Sequence, residues 1–241
     1  MNAREPNIDF SVSVGSSASS ERTRSAIALC ASFIGMDRSW QAARTRSRQT
    51  GPMGFTRGEL EGFRDRAIPE FMPRHPRLVF VGINPGLWTA ATGVPFARPG
   101  NRFYPALVEA GIVPRLPVID DDGMPEADRR MFFDAGIGIT SIVQRATARA
   151  DELTRDELRE GARRLTTEIE ELSPKAVAIV GVTAYRVGFD RPKAIVGRQP
   201  DGLGGAQLWV LPNPSGLNAH DTVASLAAAY AEPARAAGVL A

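Results

Sequence analysis

Residues 77–86 read RLVFVGINPG. After Arg77 the run is wholly apolar until it stops at Gly82. A strand wetted on one face alternates polar and apolar residues. This one does not, so both faces are buried, as in a parallel sheet. Residues 176–181 (AVAIVG) repeat the signature, 207–211 (QLWVL) end against Pro212, and 136–143 (GIGITSIV) form a weaker fourth run. Helical spacing fills the gaps. Over 154–172, Leu158, Ala162, Leu165, Ile169 and Leu172 fall on one stripe, and Thr154 with Glu157 has capping-box spacing. Further helices are predicted over 56–71, 101–110, 183–189 and 221–230, with Pro233 ending or kinking the last. Strands alternating with helices predict an α/β fold, a three-layer α/β/α domain around a mainly parallel four-stranded sheet over residues 56–241.

Composition narrows the function. Of 241 residues, 43% are hydrophobic and 23% charged, the balance of a globular chain. The single cysteine, Cys30, excludes an intramolecular disulfide framework and a cysteine-ligated cluster within one chain. His75 and His220 are the only histidines, too few for a histidine-rich metal site. No stretch approaches the roughly 18 unbroken apolar residues of a membrane span. The net charge is +2 and the isoelectric point about 9.0. Lys175 and Lys193 are the only lysines. Arginine in place of lysine suits bidentate contact with phosphate, but a GC-rich coding bias is the plainer explanation.

In open α/β sheets, ligands bind beyond the carboxyl ends of the strands. The loop after the first strand is Gly82-Ile83-Asn84-Pro85-Gly86, and the loop after the last runs from Pro212 to Asn218 (PNPSGLN). Neither is a nucleotide-binding fingerprint, and no G-x-S-x-G elbow is present. A serine hydrolase would have to pair Ser215 with His220 and find an orienting acid. Both loops are instead rich in amides, which position water and stabilise dipoles but are not strong bases. Asn, Pro and Gly also form turns for purely structural reasons.

Five blocks in order remove that ambiguity. GINPG (82–86) and NPSGL (213–217) resemble the two signature motifs of the uracil-DNA glycosylase superfamily, and more narrowly of its mismatch-specific uracil/thymine (Mug/TDG) branch. The stretch GINPGLWTAATGVPFARPGNRFYPALVEAG (82–111), with GITSIVQRAT (138–147), AVAIVGVTAY (176–185) and LWVLPNPSGLN (208–218), is similar to that family throughout. The resemblance covers about residues 77–236. It implies a monofunctional glycosylase that flips a damaged or mismatched base from duplex DNA and hydrolyses its N-glycosidic bond, without metal or cofactor. It also implies a monomer acting in base excision repair on U·G pairs, in the cytoplasm or on the nucleoid of a bacterial cell.

By the same resemblance, Asn84 positions the attacking water and Asn213 donates to the leaving base. Ile83, Phe96 and Ser141 form the base pocket, with Phe96 stacking on the flipped base. Ser215, Gly216, Leu217, Asn218 and His220 face the DNA, with Ser215 on a phosphate and Leu217 as the wedge filling the vacated stack. Gly216 is expected to let the loop approach the minor groove. There are departures. Ser141 stands where a lysine, asparagine or acid is common, Asn218 replaces serine, and Ala219-His220 replaces a pair that often includes arginine. The alternative to turnover is a damage-recognising DNA-binding protein; a small-molecule α/β hydrolase would act without DNA.

Residues 1–55 read as a disordered basic extension, serine-rich at first. Arg38, Arg44, Arg46, Arg48 and Arg57 then follow with no acidic residue between them. Such an arm would add non-specific DNA affinity. Residues 26–36 (AIALCASFIGM) faintly resemble a signal-peptide core but lack a clear cleavage site. A third reading is a later translation start, for example at Met36 or Met53.

Overall fold

A computed structural model describes residues 54–216 and 218–241. The arginines from Arg38 to Arg48, the 26–36 segment and Leu217 lie outside the described residues. Phe55, placed by sequence in the extension, packs edge-on against Phe63 and Trp88.

The strands are β1 (Leu78–Gly82), β2 (Ile137–Ser141), β3 (Ala176–Val180), β4 (Gly197–Arg198) and β5 (Gln207–Leu211), in the spatial order β2-β1-β3-β5-β4. The four long strands are parallel, and β4 pairs antiparallel with β5 at the edge. The sheet therefore has five strands among the described residues, where four were expected. Two residues, a glycine and an arginine, carry no apolar run from which β4 could be read.

The unbroken apolar runs divide by parity. Leu78 and Phe80 face one core with Ile137, Ile139, Ala178 and Trp209, while Val79 and Val81 face the other with Val177, Ile179, Leu208 and Val210. The helices are α1 (Arg57–Glu61), α2 (Leu87–Thr92), α3 (Phe103–Glu109), α4 (Glu126–Asp134), α5 (Arg155–Leu172), α6 (Val182–Gly188) and α7 (Val223–Ala236). Phe103 and Leu107 of α3, Phe132 of α4, and Leu226 and Tyr230 of α7 fill the first core. Leu158, Leu165 and Ile169 of α5 and Tyr185 of α6 fill the second. This is the expected three-layer α/β/α arrangement. Among the described residues, no helix is long and apolar enough to cross a membrane.

Four helix expectations change. The helix predicted over 56–71 ends at Glu61, although its capping box of Thr56 and Glu59 forms as expected. Asp65 turns into the left-handed region, the Asp65 N–H donates to the Ala146 carbonyl, and Phe71 bridges to Ile139. Tertiary partners thus replace the helix, which at Pro69 would also have lacked an N–H donor. Helix α7 runs through Pro233 to Ala236. α2 and α4 have no counterpart among the predicted helices; α2 is a short segment of six residues, and in EADRRMFFD only Asp128 and Phe132 are buried, a stripe too thin to read.

Candidate active site

Gly82, Ser141, Val180 and Asn213 lie at the carboxyl ends of β1, β2, β3 and β5, and all line one cavity of about 170 Å³. It opens where the crossovers leave β1 and β3 in opposite directions, the usual place for a ligand in such a sheet. Ile83, Asn84 and Phe96 share its wall, so every residue assigned to catalysis or the base pocket meets there. Ser215, Gly216, Asn218 and His220 belong to the loop that continues from Asn213.

The Asn84 amide is held in one orientation. Its Nδ2 donates to Thr147 Oγ1 at 2.8 Å, to the Arg145 carbonyl at 2.9 Å and to the Pro85 carbonyl at 3.2 Å. The Thr147 hydroxyl is itself donated to the Arg149 carbonyl, leaving its lone pairs for Asn84. An oxygen in the Nδ2 position would meet acceptors alone. Oδ1 is therefore the atom left for the cavity, and it can only accept.

Asn213 is held the opposite way. Its Oδ1 accepts from the Ser215 N–H at 3.0 Å, forming an Asx turn. That leaves Nδ2, a donor, for the cavity. The site thus combines an acceptor on one wall with a donor on another, both neutral.

Buried tyrosines anchor the loops from below. Tyr104 on α3 donates to the Pro95 carbonyl at 2.7 Å, beside Phe96, and Tyr230 on α7 donates to the Pro212 carbonyl at 3.1 Å, beside Asn213. Burial pushes both phenols up, so both remain donors. Phe96 stacks on Phe103 with ring centroids 4.0 Å apart and planes 20° apart. Its φ of 56° is a strained value for a bulky residue. At Gly82 a Cβ would lie 3.4 Å from both the Phe96 ring and Ser141 Oγ, so glycine keeps that gap open.

Three residues with no role expected from the sequence also line the cavity. The Asn101 Oδ1 accepts from the Phe103 N–H at 2.9 Å. Gln144 Nε2 donates to the Ser141 carbonyl at 3.2 Å. Glu70 stands at the wall with its carboxyl raised by burial and by the nearby Glu168, against the lowering effect of Arg164. No motif points to these three as a group.

The loop after β5 is closed on itself. Asn218 Nδ2 donates to the Asn213 carbonyl at 3.0 Å and to Asp221 Oδ2 at 2.7 Å, and its Oδ1 accepts from the His220 N–H at 3.1 Å. The cap of α7 is Thr222, boxed with Ser225, so His220 does not cap it. Gly216 is required by the fold itself: a Cβ there would sit 2.9 Å from the Gly100 carbonyl oxygen.

An ion-pair network steadies the carbonyl that holds Asn84. Arg145 bonds Glu157 and Asp65, each at 2.8 Å. Its guanidinium, aided by the Thr154 N–H, holds the Glu157 carboxyl down to about 2. A depressed carboxyl contributes stability above its ordinary value of 4.5 and loses it as pH falls toward about 2. Melting temperature should therefore drop across that window. Glu157→Gln, which keeps an acceptor for the Thr154 cap, should flatten the drop. Parallel wild-type and variant curves would detach Glu157 from acid stability.

A family model of the uracil DNA glycosylase superfamily matches residues 69–233, a span that contains every residue lining the cavity except Ile68, and the loop after β5.

Proposed function

As the chain belongs to the uracil DNA glycosylase superfamily, we propose that it is a monofunctional glycosylase of the mismatch-specific uracil/thymine branch. Its substrate is uracil flipped out of a U·G pair in duplex DNA, and its product an abasic site that initiates base excision repair. The observation that carries this reading is the opposed polarity of the two asparagine amides. Hydrolysis of an N-glycosidic bond needs an acceptor to orient water toward C1′ and a donor for the base as it leaves with the bonding electrons. Asn84 Oδ1 supplies the first and Asn213 Nδ2 the second.

The water oxygen joins C1′, the bonding pair departs on the base, and the water's proton is lost to solvent. The base takes up a proton afterwards. Asn84 is neutral and does not deprotonate the water, so attack follows once the sugar has become cationic. Asn84 itself brings no negative charge to that cation, so it stabilises it less than a carboxylate in its place would. Ile83 and Ser141 border the base, and Phe96, backed by Phe103, offers it a ring face. Flipping is cheapest at a mismatch, where unstacking costs least.

A duplex carrying U·G should be cut at the uracil when alkali follows incubation, against U·A, T·G and single-stranded controls. Tight binding with no alkali-labile site would assign the protein to damage recognition without turnover. Under the wedge reading, Leu217→Ala should slow duplex excision by about tenfold and single-strand excision far less, because only the duplex has a stack to open. Melting temperature should hardly change. Equal losses on both substrates with a lowered melting temperature would make Leu217 a packing residue.

A further inference from the structure

Arg102 immediately precedes α3, yet its side chain turns away from that helix to the loop after β5. Its Nη2 donates to the Ser215 carbonyl at 2.7 Å and the Asn218 carbonyl at 2.6 Å, and Nη1 donates to the Asp221 carbonyl. Its main-chain N–H donates to the Pro214 carbonyl at 3.0 Å. One residue thus holds four carbonyls of the segment 214–221. Gly216 makes a second join where it passes closely over the Gly100 carbonyl.

A loop in this conformation has carbonyls that no helix or strand satisfies, and each needs a donor. A guanidinium carries five N–H groups in a rigid fork, so it can serve divergent carbonyls at once; an ammonium is a point charge that cannot. The Nε–H of Arg102 is buried without an acceptor. Leaving that group unsatisfied is unfavourable, so the carbonyl contacts outweigh it. A guanidinium placed to meet a phosphate would instead project outward from the half-buried position that Arg102 occupies.

We propose that Arg102 is a positioning residue for loop insertion, holding the carbonyls of Pro214, Ser215, Asn218 and Asp221, which flank Leu217 in the chain, before DNA arrives. The inference rests on the glycosylase reading above. Flanks already held lose less conformational freedom on entering the duplex, and so insertion is easier. The clamp acts on insertion and not on bond cleavage, so a single-stranded substrate does not depend on it.

The test compares Arg102→Met and Arg102→Lys with the wild-type full chain. Hydrogen exchange of the amides in 213–221 should quicken by about tenfold or more in both variants, with the β1 and β3 amides unchanged. Single-turnover excision of uracil should fall by about tenfold on a U·G duplex and by less than about twofold on the same strand alone. Lysine should not rescue either readout, because it keeps the charge and loses the fork. Rescue by lysine would assign Arg102 to phosphate attraction and overturn the clamp. So would unchanged exchange in Arg102→Met, or equal losses on both substrates. If Arg102→Met does not fold, Arg102→Gln beside Arg102→Lys carries the same comparison. A wild-type chain that excises nothing would sink the glycosylase reading, while the exchange measurement would still decide the clamp.

Discussion

Asn84→Ala is expected to slow single-turnover excision of uracil by roughly 10²-fold or more, the scale on which a preorganised polar group contributes. Binding to the same duplex should change by no more than a few-fold. The separation follows from how the side chain is held. Three acceptors hold Nδ2, so Oδ1 is fixed before any substrate arrives and requires no reorganisation during reaction. Alanine removes that fixed acceptor and leaves β1 and its neighbours in place. Asn84→Asp provides the sharper comparison. A carboxylate oxygen in the Nδ2 position would face two carbonyls and a hydroxyl already donated elsewhere. Aspartate therefore cannot adopt the asparagine pose, and it should not raise the rate despite its charge. Full activity in Asn84→Ala would reduce Asn84 to a turn residue. A gain in Asn84→Asp would show that Oδ1 orientation is not what limits the reaction.

The long strands are legible because burial on both faces leaves a mark that one strand carries alone. RLVFVG and AVAIVG need no knowledge of their partners to be read as interior strands. β4 has no such mark, since Gly197 and Arg198 are held by Val210 and Trp209 rather than by their own composition. The helix predicted over 56–71 is too long for the opposite reason: residues 62–71 have local helical spacing but are claimed by Ala146 and Ile139 far along the chain. The site shows the same division. Asn84, Asn213 and Phe96 stand inside contiguous motifs and can be named from them. The polarity of the amides cannot, because it is set at Asn84 by Arg145 and Thr147, some sixty residues away. Arg102 lies within the NRF of the long first block, but its meaning depends on carbonyls more than a hundred residues later.

The same polarity makes Asn213→Asp the more severe substitution at the second asparagine. The variant keeps an oxygen where the Ser215 N–H donates, so the Asx turn that shapes the loop persists and melting temperature should be nearly unchanged. The other amide position becomes a second carboxylate oxygen, facing the cavity with neither hydrogen nor positive partial charge. Uracil leaves as an anion, so an attraction in the transition state becomes a repulsion. Two like charges about 4 Å apart at an effective dielectric of about 20 repel by about 4 kcal/mol. That is roughly a 10³-fold loss in rate. Asn213→Ala removes the donor without adding a charge, and should lose roughly 10–10²-fold, along with some order in the loop. Aspartate should therefore be worse than alanine in activity while better in stability, an inversion that a packing role cannot produce. The deficit of the aspartate variant should also shrink as pH falls and its carboxyl becomes protonated, since the neutral acid can again donate. An aspartate variant as active as wild type would mean that Nδ2 does not meet the leaving base, and would remove Asn213 from the chemistry.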